Sequence, residues 1–74
     1  MLKKDIGINA GVIWRLLFDN GALSVRKIGE FTGYQEKMIF LSLGWLARED
    51  KIRLFEKNDS IQIELKPSFP EIYY

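Results

Sequence analysis

Glu49 and Asp50 are adjacent carboxylates, Ser24 and Ser42 carry hydroxyls, and Gln35 and Lys37 stand two apart before an apolar run. Each pair has a chemistry it could serve. Paired carboxylates can act as general acid and base, and a serine can attack a carbonyl once a base takes its proton. Glutamine and lysine can meet base edges and phosphates. The first two roles lack their partners. The 74 residues include no histidine and no cysteine, which removes the imidazole that would activate a serine and the usual thiolate and imidazole metal ligands. Glu-Asp-Lys at a helix end reads as a solvent-facing turn. There is no glycine-rich phosphate loop, and Tyr34, Tyr73 and Tyr74 have no neighbouring constellation. The sequence therefore points to a non-enzymatic protein with no cofactor and no metal.

The elements that position the remaining candidates follow from periodicity. Ile39, Leu43 and Leu46 recur at i, i+4 and i+7 along Tyr34 to Phe55, which predicts a long helix, a turn and a strand. That helix is unusual in being apolar on its other faces too, through Met38, Phe40, Leu41, Trp45 and Ala47. Upstream, Asp5 is a candidate N-cap for a first helix running to about Phe18, with Ile6, Ala10, Ile13, Trp14 and Leu17 as its core stripe. Ile8, Val12 and Leu16 form a second strip on a different flank. Gly21 suits the C-terminal position of that helix, Ala22 and Leu23 could make a very short strand, and Ser24 is an N-cap for a second helix to about Thr32.

Ile28, Gly29, Gly33, Tyr34 and Ile39 have the spacing of a helix-turn-helix, with Gly29 at the crossing of the second and third helices and Gly33 at the positive φ of the turn. After the long helix, Ile52 to Glu56 and Ile61 to Lys66 flank a polar turn-forming stretch, Lys57 to Ser60. Alternation in the second of these predicts a hairpin with one face inward. Three helices and a two-stranded hairpin give an α+β winged helix-turn-helix over residues 1–66. Pro67 and Pro70 end ladder pairing, and residues 67–74 form an aromatic tail with Phe69, Ile72, Tyr73 and Tyr74.

The runs Asn9 to Trp14 (NAGVIW) and Leu43 to Ile52 (LGWLAREDKI) resemble a small stand-alone bacterial winged helix-turn-helix family that carries a domain-of-unknown-function label. The resemblance implies a fold and leaves the activity open.

In helix-turn-helix regulators the base-reading positions lie at the start and outer face of the third helix, here Gln35, Glu36, Lys37, Phe40, Leu41 and Gly44. Gln35 could read adenine and Lys37 could meet phosphate, with Arg26 and Lys27 adding a local basic patch and Lys57 a cation at the wing. Glu36 opposes phosphate, while Phe40 and Leu41 offer base edges no hydrogen bonds. A net charge of +1 supplies no broad basic field. Two readings follow: a homodimeric protein-interaction module whose interface draws on Ile8, Val12, Leu16, Phe40, Leu41 and Trp45, or a minimal DNA-binding transcription regulator. With no apolar run of membrane-spanning length and no leader, the expected location is cytoplasmic.

Overall fold

The computed structural model describes residues 3–67. The order is α1 (Lys3–Asn20), β1 (Leu23–Ser24), α2 (Val25–Thr32), α3 (Glu36–Arg48), β2 (Ile52–Lys57) and β3 (Ser60–Leu65). The strands form one antiparallel sheet in the order β1-β3-β2. This is the winged helix-turn-helix expected from the sequence, with β1 adding a short third strand to the hairpin through Leu23 opposite Ile63.

Each helix gives the core one stripe. Ala10, Ile13 and Leu17 come from α1, Ile28 from α2, and Ile39, Leu43 and Leu46 from α3, and together with Ile52 and Ile63 of the sheet they form a single buried cluster. The i, i+4, i+7 reading of α3 therefore holds, and burial of such side chains at roughly 1.5 to 3 kcal/mol each is the main stabilising term. Within this core Ser42 is also fully buried, with its hydroxyl directed at the Met38 sulfur 3.5 Å away.

Local signals set the boundaries. Ser24 caps α2 by accepting the Lys27 N–H at 3.1 Å. Gly33 takes φ 74° and donates its N–H to the Gly29 carbonyl, so the turn glycine is where the left-handed conformation is required. Gly21 does the same after α1, at φ 80° with its N–H on the Leu17 carbonyl. Helix α3 ends in a Schellman arrangement built without glycine. Asp50 at φ 61° donates to the Ala47 carbonyl, and Lys51 donates to the Leu46 carbonyl.

Three expectations are corrected. Asp5 is not an N-cap, because α1 already includes Lys3 and Lys4; it sits in the first turn, where the helix dipole still favours a carboxylate. The same helix continues past Phe18 to Asn20, whose side-chain amide donates to the Leu16 carbonyl. The wing turn is narrower than Lys57 to Ser60. Those two residues pair with each other as strand termini, leaving Asn58 and Asp59 as a two-residue loop at φ 53° and 63°. Positive φ at both central positions is the primed turn that matches strand twist. Of the aromatic tail, Phe69, Ile72, Tyr73 and Tyr74 lie outside the described residues.

The hairpin face that turns inward is also only partly covered. Alternation puts Leu54 on the side of Ile52 and pairs it with Ile63, yet it stands half exposed, as does Ile61 nearer the tip. The helices cover the base of the wing, and the rest overhangs.

Two measurements test this account. Asp59→Gly should raise stability by roughly 0.5 to 1 kcal/mol, because glycine adopts the left-handed conformation without the Cβ penalty; an unchanged or lower urea midpoint would show the turn is not of this type. At Gly29 a Cβ would meet Ile39 Cδ1 at 3.5 Å and the Tyr34 carbonyl at 3.8 Å, which is ordinary contact. Gly29→Ala should therefore be neutral or stabilising, and Gly29→Leu should cost about 1 to 3 kcal/mol by driving into Ile39. Equal stability of the two variants in chemical denaturation would place the α2–α3 crossing elsewhere.

Candidate interaction surface

The third helix is held in place at both ends. Near its start, the Thr32 hydroxyl donates to the Ile28 carbonyl at 2.7 Å and accepts the Tyr34 N–H at 3.0 Å, which shapes the turn leading into α3. The Tyr34 phenol then donates to the Asn9 side-chain carbonyl at 3.0 Å, and the Asn9 amide points at the Met38 sulfur 3.2 Å away. Asn9 thus ties the first helix to both sides of the α3 start. The sequence reading placed Asn9 only in a resemblance; its signal is a polar residue amid apolar neighbours on a helix, which alone does not reveal its partner. Near the far end, the Trp45 indole covers Gly7, where a Cβ would lie 3.4 Å from the ring. That glycine accommodates an indole of the same chain.

Held this way, α3 presents Gln35, Glu36, Lys37, Phe40, Leu41 and Gly44 to solvent. Phe40 is 50% and Leu41 42% exposed, and no atom of the described residues lies within 4 Å of where a Gly44 Cβ would stand. No side chain caps the helix at Gln35, so its amide is free of that duty. The middle of the outer face is thus apolar, with one acid and one base at its start.

The basic candidates are spread over three elements. Arg26 and Lys27 on α2 are exposed and share one carboxylate, Glu30, at 3.3 and 3.4 Å. Such exposed pairs contribute little to stability, but the carboxylate reduces the field the two cations could direct at phosphate. Lys37 stands on the first turn of α3, and Lys57 is exposed at the end of β2 beside the wing turn. Elsewhere on the surface, Arg53 is paired with Glu64 across the wing at 2.6 Å. The neighbouring Lys66 is paired with Asp50.

The apolar candidates divide into two groups. Ile8 and Val12 on α1 are 61% and 45% exposed, in the same range as Phe40 and Leu41. Leu16 and Trp45 are half-buried and pack against the core. Sequence reasoning did not single out Leu54, Phe55 and Ile61 on the wing, or Phe18 and Phe31 on the helices, as exposed apolar side chains. Strand alternation marks Leu54 and Ile61 as inward and Phe55 as outward, and nothing in the sequence tells how far the helices reach over the inward face. Phe18 is accounted for locally, stacked on Trp14 at 5.4 Å with Arg15 at 6.0 Å from its ring centre.

Among the described residues no group of His, Cys, Asp or Glu is arranged to hold a metal ion, and no helix is long and apolar enough to cross a membrane. Glu49 and Asp50 are both exposed, with Asp50 engaged by Lys66.

Comparison with known proteins agrees with this geometry. Residues 1–65 match the family described as winged helix-turn-helix domain (DUF2582). An uncharacterized protein, MJ1608 of Methanocaldococcus jannaschii, is 39% identical over 64 residues, covering 82% of this chain and 90% of that protein. The solution NMR structure of protein BT2368 from Bacteroides thetaiotaomicron superposes with a TM-score of 0.79 at 34% identity, covering 88% of this chain and 79% of that one. With an archaeal relative and a bacterial structural neighbour, the resemblance is not confined to bacteria, as the sequence reading had it.

The coupling of Asn9 to Tyr34 can be measured. Asn9→Ala, Tyr34→Phe and the double variant should give a coupling free energy of about 0.5 to 1.5 kcal/mol in a double-mutant cycle, the net worth of one intramolecular hydrogen bond. Additive effects would show that the phenol and amide act independently.

Proposed function

We propose that this chain, which belongs to the winged helix-turn-helix domain (DUF2582) family, is a non-enzymatic cytoplasmic binding module that works as a homodimer through apolar helix surface. The carrying observation is the exposure of Phe40 and Leu41 in the middle of the α3 outer face, with Ile8 and Val12 forming a second exposed strip on α1. A duplex offers base edges that need hydrogen-bond donors and acceptors at these positions, and two large apolar side chains provide neither. A protein partner removes them from water at a gain of roughly 1.5 to 3 kcal/mol for each side chain fully buried. Two-fold pairing of identical chains is the commonest way for a soluble protein to do so.

A minimal DNA-binding regulator is the second reading. It is favoured by the exposed Gln35 and Lys37 at the α3 start, with Arg26, Lys27 and Lys57 as phosphate contacts. Glu30 beside Arg26 and Lys27, and Glu36 beside Lys37, weaken it.

Sedimentation and light scattering separate the possibilities. The wild type at about 100 μM should be a dimer, since the proposed burial supports micromolar association. Val12→Glu or Leu41→Glu should give a folded monomer, and the one that does identifies the strip in use. A wild-type monomer at that concentration ends the homodimer reading. In a parallel titration with mixed duplex DNA, engagement of Arg26, Lys27, Lys37 and Lys57 would make log K fall with log salt at a slope of about 3 to 4. That slope, retained in Leu41→Glu, would establish the regulator reading instead.

A further inference from the structure

The first and third helices leave a groove of ≈ 370 Å³ between two indoles. Trp14 and Trp45 flank it, Gly7, Ala10, Gly11 and Leu46 line it, and Glu49 and Lys51 complete it. Among the described residues nothing lies within 4 Å of where a Gly11 side chain would project, so the groove is not filled by its own walls. It continues at both ends. Past Trp14 and Lys51 it meets a depression lined by Phe18, Leu65, Lys66 and Pro67, and past Trp45 and Glu49 it meets one lined by Lys3 and Arg48. The path therefore begins beside Pro67, passes two tryptophans over glycines, and ends where Lys3 and Arg48 flank Glu49. It lies on a different flank of α1 from Ile8 and Val12.

From Pro67 the chain continues as Ser68, Phe69, Pro70, Glu71, Ile72, Tyr73 and Tyr74. Those seven residues have the length and chemistry for this path. Fully extended they reach about 23 Å, whereas Trp14 to Gly7 is about 10 Å along the helix and Trp14 to Lys3 about 16 Å. Pro70 holds φ near the extended range and lowers the entropy lost on docking. Aromatic rings pair favourably with indoles, and Glu71 is complementary to Lys51, Arg48 and Lys3. We propose that residues 68–74 dock in cis along this groove, with their aromatic side chains between Trp14 and Trp45. Docking in cis needs no second chain, so this surface is satisfied separately from the one proposed for dimer formation.

The test uses the full chain and three samples: the wild type, a variant carrying Phe69→Ser, Ile72→Ser, Tyr73→Ser and Tyr74→Ser together, and Gly11→Leu, which fills the groove at an open position. Trp14 and Trp45 are the two tryptophans of the chain, so both emission and indole NMR signals report on the groove directly. The wild type should show nuclear Overhauser contacts from the indole protons to the Phe69 or tyrosine rings, unchanged on dilution. Tryptophan emission should move to longer wavelength in the serine variant, and the indole–tail contacts should be lost in Gly11→Leu. Absence of those contacts in the wild type overturns the proposal, as does equal emission in wild type and serine variant. Contacts that survive Gly11→Leu place the tail elsewhere and overturn it too. Contacts between differently labelled copies, or contacts that fade on dilution, identify a second copy's tail as the occupant and overturn docking in cis, whether or not the homodimer itself is found.

Discussion

The fold depends on the way α3 is enclosed. Ile39, Leu43 and Leu46 are buried on one stripe, and α1, α2 and the base of the sheet all contribute to the cluster that covers it. A three-helix domain with a short sheet has only enough partners to cover one side of its central helix. Small domains bury a smaller share of their surface than large ones, so the boundary of the core here is set by the number of covering elements rather than by the supply of apolar residues. Phe40 and Leu41, about 100° and 200° around the helix from Ile39, fall outside it.

That constraint also explains the two small polar or side-chain-free positions on α1. Gly7 is where the helix comes against Trp45, and Asn9 is where it meets the Tyr34 phenol and Met38. A large residue at the first would push the helices apart, and an apolar residue at the second would leave the phenol without its acceptor. Together they fix where α1 crosses α3, and thus how the outer face of α3 is presented.

Much of this architecture was legible in the chain because the signals are local. Ser24 caps whatever helix follows it, Gly33 takes a positive φ wherever that turn occurs, and three apolar residues at helical spacing name their own face. What the sequence could not give was extent. Leu54 and Ile61 fall on the inward side by strand alternation, and only the reach of the helices decides that they remain half exposed. Asp5 failed as a cap for a related reason: a capping residue is recognised by where helical periodicity begins, and Lys3 and Lys4 are compatible with helix as well as with coil. The width of the wing turn was blurred because Lys57 and Ser60 are acceptable both in loops and at strand ends.

The candidate surface was legible in composition and ambiguous in use. Ile8, Val12, Leu16, Phe40, Leu41 and Trp45 all exceed what one core stripe needs, yet sequence alone gives no measure of which are covered by the chain itself. Trp45 and Leu16 belong to the packed periphery, while Ile8, Val12, Phe40 and Leu41 stay in water. On the basic side, Arg26 and Lys27 read as a patch, but Glu30 lies four and three residues on, and α2 brings all three to one side. The winding that exposes apolar residues on α3 is thus matched on α2 by one that offsets positive charge. Both arrangements leave the surface more apolar and less positive than a count of its residues suggests.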